Sequence, residues 1–367
     1  MMPHRVMSSA YMEWAKVLSG ARYNLASSDL AHFPLAGLPF SPGDLEITGP
    51  GGYGYAPLSE AIARRSSVDA ACVVTTIGTS MANHLAMAAL LERGDEVLIE
   101  EPTYGLIVST AQYLGATVSR FPRRFENGFV IDPGDVERAV SSRTRLVVLT
   151  NLHNPSSAFT DEAVVRKLGE IARRSGARVL VDEVYLEAAF DRSPKSAIHL
   201  GDEFVVTNSL TKVYGLSGLR CGWILAEPTL ARKIWRLADL FYSSLPHLAE
   251  RLGVIAFNNL EAIATRARRL LEANGSALNA FLGSRSDLQA IEHKRGLTAY
   301  PRLKAGDTAP LCRLLREKYE TTVVPGTFFG MKEHFRIGIG GETDLLKEGL
   351  HRLALALDEL SGGKKRG

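Results

Sequence analysis

From Cys72 onward, short apolar and β-branched runs alternate with segments of helical periodicity. The runs are Val73-Val74-Thr75-Thr76, Glu96-Val97-Leu98-Ile99, Leu146-Val147-Val148-Leu149, Arg178-Val179-Leu180-Val181 and Phe204-Val205-Val206-Thr207. Helices are expected after Gly78 and from about Asp161 to Ser175. This βα rhythm predicts a doubly wound α/β domain around a mostly parallel sheet. In such sheets a ligand sits beyond the C-terminal ends of the strands, and the chain places Asn151, Asp182 and Ser209 at those ends.

After about residue 228 the pattern changes to longer helices, around Thr229 to Phe241 and Pro246 to Ala273, followed by mixed strand and helix. A chain of 367 residues exceeds what one core usually organises. Two domains are therefore expected: residues 47–245, and a smaller α+β unit formed by residues 1–46 together with 246–367. No repeat or low-complexity linker separates them. The Gly49-Pro50-Gly51-Gly52-Tyr53-Gly54 stretch does not separate a strand from a helix, so it reads as a loop and not as a dinucleotide fingerprint.

Composition narrows the class without naming a function. Apolar residues make up 46% and charged residues 23%, the balance of an ordinary globular protein. The 43 basic and 40 acidic side chains are evenly spread, which argues against nucleic acid as a partner. The one basic run, Lys364-Lys365-Arg366, reads as a solvated tail. Three dispersed cysteines show no metal-ligand spacing and fit a reducing compartment. The N-terminus has no signal-type apolar core, and no apolar stretch is long enough to span a bilayer, so a cytoplasmic protein with no membrane partner is expected.

Candidate chemistry centres on Ser209-Leu210-Thr211-Lys212, which follows a strand and precedes Gly215-Leu216-Ser217-Gly218-Leu219-Arg220. Hydroxyls and an arginine suit a phosphate ester, while a neighbouring cation and partial burial are expected to lower the lysine pKa toward nucleophilic competence. Alone, Lys212 would read as a solvated turn residue. Its context is more specific: Ser209, Lys212 and Arg220 stand at relative positions 0, +3 and +11, Tyr185 follows Asp182 by three, and Asn154 precedes Asp182 by 28.

With these motifs the sequence resembles the class I/II aminotransferases, pyridoxal 5'-phosphate (PLP) enzymes of fold type I, from about Asn24 to Leu357. The likeness rests on Asn154-Pro155, Asp182-Glu183-Val184-Tyr185 and the Ser209-to-Arg220 segment, in family order. It implies a large domain with a mostly parallel seven-stranded sheet, a homodimer, and Lys212 as the Schiff-base lysine. It further implies that Asp182 pairs with the pyridine nitrogen and that Asn154 and Tyr185 donate to the phenolate oxygen. Thr79, Ser80, Ser209 and Arg220 are expected at the phosphate, with Gly78-Thr79-Ser80 opening a helix whose dipole favours a dianion. Tyr104 would stack on the ring, and Arg336, in His334-Phe335-Arg336-Ile337-Gly338, would hold the substrate carboxylate beside Asn154. Each residue also has a plainer reading: an Asp or Ser capping a turn or helix, a tyrosine in the core, an arginine at the surface.

The sequence departs from the family in three places. Gly49 stands where a tyrosine often reaches the partner's phosphate, leaving Tyr53 or Tyr55 to substitute. Ser156-Ser157 replaces the usual Thr-Gly turn. Leu25-Ala26-Ser27-Ser28-Asp29 occupies a stretch that often carries Gly on the substrate side, so substrate chemistry is expected to differ from the best-known members.

The implied activity is transfer of an amino group between an L-amino acid and a 2-oxo acid by a ping-pong mechanism, with Lys212, Asp182 and Tyr185 as catalytic residues. A PLP-dependent lyase or cyclising synthase would use the same apparatus. A PLP-binding sensor is disfavoured because no winged-helix segment precedes the domain, and a degenerate structural homologue is disfavoured because Asn154, Asp182, Tyr185, Lys212 and Arg220 are all present.

Overall fold

A computed structural model describes residues 6–192 and 195–363. The basic run Lys364-Lys365-Arg366 lies outside these described residues.

Seven strands form the main sheet: β1 (Val73–Ile77), β2 (Glu96–Glu101), β3 (Thr117–Pro122), β4 (Thr144–Thr150), β5 (Arg178–Asp182), β6 (Phe204–Ser209) and β7 (Cys221–Leu225). Their order is β1-β7-β6-β5-β4-β2-β3, with β7 antiparallel to both neighbours and every other pair parallel. The five apolar runs of the sequence are β1, β2, β4, β5 and β6. The edge strand β3 and the antiparallel β7 escape that pattern: β3 is half-exposed and carries Ser119 and Arg120, while β7 opens with Cys221-Gly222 and has no β-branched run.

The apolar runs are continuous because both faces of the sheet are covered. Alternate residues of each strand pack to opposite sides. Val97, Ile99, Leu146, Val148, Leu180 and Val205 meet helix α1 (Gly78–Leu90) through Ala82, Leu85, Ala86 and Met87. Leu98, Val147, Leu149, Val179, Val181 and Val206 meet helix α2 (Glu162–Arg174) through Val165, Leu168, Ile171 and Ala172. Helix α2 begins where expected, because the Asp161 side chain caps it by accepting from the Val164 N–H at 3.0 Å. At roughly 1.5–3 kcal/mol for each fully buried aliphatic side chain, these two layers hold the strand ends in fixed register.

Two helix boundaries differ from the sequence pattern. Helix α3 covers Pro228–Ala238 and stops short of Phe241, since the backbone tightens into i→i−3 bonds from Leu240 to Leu237 and from Phe241 to Ala238. The single helix expected over Pro246 to Ala273 is two, α4 (His247–Asn258) and α5 (Leu260–Gly283). Between them Asn259 leaves helical geometry, and its side chain donates back to the Ile255 carbonyl at 2.8 Å.

The two ends of the chain meet away from the main sheet. Tyr23–Asn24 pairs in parallel with Thr321–Thr322, and Phe335–Gly338 is the central strand of a three-stranded antiparallel sheet with Thr298–Ala299 and Val324–Pro325. Gly338 is required there, because a Cβ would overlap the Ser27 carbonyl. This close approach brings residues 25–29 alongside the strand that carries Arg336. Gly49–Gly54 forms no helix or strand, as expected of a loop.

Candidate active site

A cavity of about 1100 Å³ opens at the C-terminal edge of the sheet. The ends of β1, β4, β5 and β6 reach it through Thr79, Thr150, Asp182 and Ser209, and the N-terminal stretch closes it from the other side through Tyr11, Met12, Trp14 and Lys16. Among the residues expected in a site, Thr79, Ser80, Tyr104, Asn154, Asp182, Tyr185, Ser209, Lys212 and Arg220 all line this one cavity. Arg336 is fully buried immediately behind it, bonded to the lining residues Asn154 and Tyr11.

At one end, hydroxyls and a guanidinium surround the start of α1. Thr79 Oγ1 donates to Ser209 Oγ at 2.8 Å, and Ser209 Oγ accepts from the Thr211 N–H at 3.3 Å. Gly78 has φ +72° and lies beneath Arg220, whose guanidinium a Cβ at that position would overlap. Gly222 packs as tightly on Gly78 from behind, where its Cβ would sit 2.5 Å from the Gly78 carbonyl carbon. Arg220 is itself held at φ 49°, an uncommon conformation for a side chain of its size. A helix N-terminus, a floor without side chains, two interacting hydroxyls and an arginine make a cradle suited to a phosphate dianion. The Thr211 hydroxyl, buried without a partner, is a further unsatisfied donor beside it.

Deeper in the cavity Asp182 is buried and fixed at both oxygens. Asn83 Nδ2 donates to Oδ2 at 2.8 Å and the Val184 N–H donates to Oδ1 at 3.1 Å, while Thr207 Oγ1 donates to Asn83 Oδ1 at 2.6 Å and fixes the carboxamide. Burial pushes the Asp182 pKa up to about 6, against the opposing pull of these hydrogen bonds and of Lys212. A buried carboxylate with this much proton affinity suits a cationic ring nitrogen. Donor cradle at one end and carboxylate at the other fit the phosphate and pyridine ends of PLP.

Lys212 lines the same cavity. Its Nζ contacts the Asp29 carboxylate directly and is 3.4 Å from Ser28 Oγ. The expected lowering of its pKa is not found. Burial acts in that direction, but the Tyr185 hydroxyl and the Asp29 carboxylate that face the ammonium outweigh it, and the pKa is raised. The cation invoked in the sequence, Arg220, stands over Gly78, while the charge that faces Lys212 is the carboxylate of Asp29.

The far side is assembled around Arg336. Its guanidinium donates to Asn154 Oδ1 at 2.9 Å, to Tyr11 Oη at 3.0 Å and to the Ala26 carbonyl at 2.9 Å, leaving Nε buried without a partner. Asn154 is placed by its own backbone: its N–H donates to Thr150 Oγ1 at 3.0 Å, and Thr150 Oγ1 donates to Glu100 at 2.6 Å. Glu100 in turn forms a fully buried ion pair with Arg123 at 3.1 Å. Tyr104 edges onto Tyr11, with ring centroids 5.5 Å apart, and its hydroxyl is 3.2 Å from Met12 Sδ. Tyr53 and Tyr55 are elsewhere: Tyr53 Oη donates to Asp239 at 3.1 Å and Tyr55 packs edge-on to His247.

Sequence reasoning missed Asn83, Thr207, Thr150, Tyr11 and the role of Asp29. Asn83 left a signal, as a polar residue among the apolar positions Met81, Ala82, Leu85 and Ala86 of helix α1. Tyr11 left none, since it meets Arg336 across 325 positions of chain.

Comparison with known proteins gives the same picture. The model of the family "Aminotransferase class I and II" matches residues 46–353. A capreomycidine synthase from Streptomyces vinaceus is 33% identical over 300 residues, covering 80% of this chain and 77% of that protein. The arginine–pyruvate transaminase AruH of Pseudomonas aeruginosa is 29% identical, covering 83% of this chain and 80% of its own. Among solved structures, a PLP-dependent aminotransferase from Streptococcus suis superposes with a TM-score of 0.91 at 24% identity over 97% of this chain and 99% of that one. The PLP-dependent cyclase OrfR superposes with a TM-score of 0.86 at 26% identity, over 98% and 99%. A family match over most of the chain, on a fold-type I architecture, places this protein among the class I and II aminotransferases, a PLP-dependent enzyme family.

Proposed function

We propose that the chain is an aminotransferase that moves an amino group between an L-amino acid and a 2-oxo acid by a ping-pong mechanism. The observation that carries this reading is that Lys212 shares one cavity with the Asp182 carboxylate and with Asn154, whose Oδ1 accepts from the buried Arg336. PLP, when bound, supplies an electron sink for the pair left at the substrate Cα.

The chain's own residues do the rest. Thr79, Ser80, Ser209 and Arg220 would hold the phosphate, and Tyr104 would cover the ring and exclude water. Asp182 keeps the ring nitrogen protonated, and Asn154 and Tyr185 donate to the phenolate oxygen. Lys212 would hold the cofactor and, once freed by the substrate amine, would take and return the proton at the substrate Cα. Arg336, with Asn154, receives the substrate carboxylate. Its donors to Tyr11 and Ala26 are then exchanged for the carboxylate, so the N-terminal stretch reads substrate entry. On the same reading residues 1–46 and 246–367 make up the smaller domain, and the protein works as a cytoplasmic homodimer.

The arginine–pyruvate transaminase relative makes L-arginine and pyruvate the first pair to test. Stopped-flow spectra of the PLP-loaded protein with L-arginine alone should show one half-reaction, with a 2-oxo acid and pyridoxamine phosphate formed in equal amounts. Steady-state rates with both substrates should give parallel double-reciprocal lines. Ammonia release without any acceptor, in place of pyridoxamine phosphate, would contradict transamination with this donor.

A second reading, a lyase or cyclising synthase, draws on the capreomycidine synthase relative and on the carboxylate of Asp29 beside Lys212.

A further inference from the structure

Glu100 and Arg123 form an ion pair whose side chains are both fully buried, behind the cavity and not on its wall. The sheet brings them together: Glu100 lies in β2, and Arg123 follows β3, where its N–H donates to the Glu101 carbonyl at 2.7 Å. Taking two charges out of water is costly, and a well-packed apolar pair of similar size is commonly as stable or more so. Arg123 Nε is also left buried without a partner. Stability alone therefore gives no reason for charge at this place.

What the pair holds gives one. Its other hydrogen bonds go to the two ends of the loop between β4 and α2, the loop that carries Asn154. At the start, Glu100 Oε1 accepts from the Thr150 N–H at 2.8 Å and from Thr150 Oγ1 at 2.6 Å. At the finish, Arg123 donates to Thr160 Oγ1. Asn151 closes the base of the loop, its side chain donating to the Thr160 carbonyl at 2.9 Å and accepting from the Thr160 N–H at 3.1 Å. A carboxylate can only accept. The Thr150 hydroxyl proton is thereby committed to Glu100, and the lone pairs of Oγ1 are left to receive the Asn154 N–H at 3.0 Å. A neutral amide in place of Glu100 could offer a donor instead, so the charge fixes the direction of this chain of bonds.

We propose that the Glu100–Arg123 pair is a positioning clamp for Asn154. Through Thr150 and Thr160 it grips both ends of the loop and holds the carboxamide where Oδ1 meets Arg336 and Nδ2 is left for the cofactor. The proposal rests on the role given to Asn154 in the proposed function, and neither member of the pair touches cofactor or substrate.

The test compares Thr150→Val, which removes one hydroxyl and keeps the shape, with Thr150→Ser, which keeps the hydroxyl. The first readout is the midpoint of the visible absorbance–pH titration of the PLP-loaded protein, with no substrate present. A donor on the phenolate oxygen weakens the hold of the neighbouring Lys212 nitrogen on its proton, so displacing Asn154 raises that midpoint. Thr150→Val should raise it by about half a pH unit or more, and should raise KM for the amino-acid donor about three- to tenfold with a smaller change in kcat. Thr150→Ser should stay within about 0.2 pH units and about twofold of wild type. Glu100→Gln made together with Arg123→Gln leaves no unpaired buried charge, and should move both readouts in the same direction as Thr150→Val. Added to Asn154→Ala, Thr150→Val should change neither readout further.

Additive changes in the Thr150→Val/Asn154→Ala double variant, equal effects of the Val and Ser substitutions, or a midpoint unmoved by Thr150→Val would overturn the proposal. The reading beneath it fails by a separate sign: Asn154→Ala alone would leave midpoint and KM at their wild-type values, and the clamp would fall with it.

Discussion

Thr79, Asp182, Ser209 and Lys212 stand at or just beyond the ends of strands in one sheet, whereas Arg336 reaches its place through contacts with Tyr11, Ala26 and Asn154. The first group is locked by two layers of aliphatic packing and by short hydrogen bonds such as Thr207 to Asn83. The second depends on an N-terminal stretch that is tied through its backbone to residues 321–322, 338 and 340 on one side and to Lys212 and Gly215 on the other. On the proposed function the two halves would do different work: one would hold the cofactor, and in the other the partners of Arg336 would give way to the substrate carboxylate.

Substitutions in the two halves should therefore separate kinetically. The largest effect is expected at Asp182. Asp182→Ala should lower kcat about 1000-fold for every donor alike, since the residue acts on the cofactor and not on any one substrate. A loss confined to particular amino acids would break the comparison.

Asp182 should also leave a mark on stability. Its pKa in the folded protein is raised to about 6, so it contributes stability that is fully present below the unfolded pKa near 4 and is lost as pH rises through 6. In protein stripped of PLP, the urea-unfolding free energy of wild type relative to Asp182→Asn should thus fall by about 3 kcal/mol between pH 3.5 and 7. Adding PLP should flatten that dependence, because a protonated ring nitrogen would stabilise the carboxylate. Using the difference from Asp182→Asn removes the parallel contribution of Glu183, which burial also pushes up, to about 7.

Arg336→Lys should act on the other half, raising KM for amino acids about 30-fold with a smaller change in kcat, because a point charge replaces a planar fork. Amines without a carboxylate should be affected little, and their initial-rate kinetics check this. The smallest effect is expected from Asn83→Ala, a roughly tenfold fall in kcat through loosened positioning of Asp182. It should be accompanied by a shift in the visible absorbance of the loaded protein, which general destabilisation would not produce.

The same contrast explains what could be read in the sequence. The strands β1, β2, β4, β5 and β6 announce themselves as continuous apolar runs because the sheet is buried on both faces, and the residues that follow them inherit their positions from chain spacing. Asp182, Ser209 and Lys212 were legible for that reason. Strand β3 was not, because a half-exposed edge strand has no such run, and the break at Asn259 was hidden inside an otherwise helical periodicity. The Tyr11–Arg336 contact and the approach of Asp29 to Lys212 depend on how the chain ends fold back, and nothing local encodes them. The pKa of Lys212 went the opposite way from expectation in part for the same reason: beside Tyr185, the group that raises it is Asp29, which comes from 183 residues away.

Everything above turns on Lys212 being the residue that binds the cofactor. The direct measurement is borohydride reduction of the PLP-loaded protein followed by mass mapping of its peptides. The account predicts a phosphopyridoxyl group on Lys212, with loss of both the visible absorbance band and the labelled peptide in Lys212→Ala. A label on another lysine, or a Lys212→Ala spectrum identical to wild type, would contradict it.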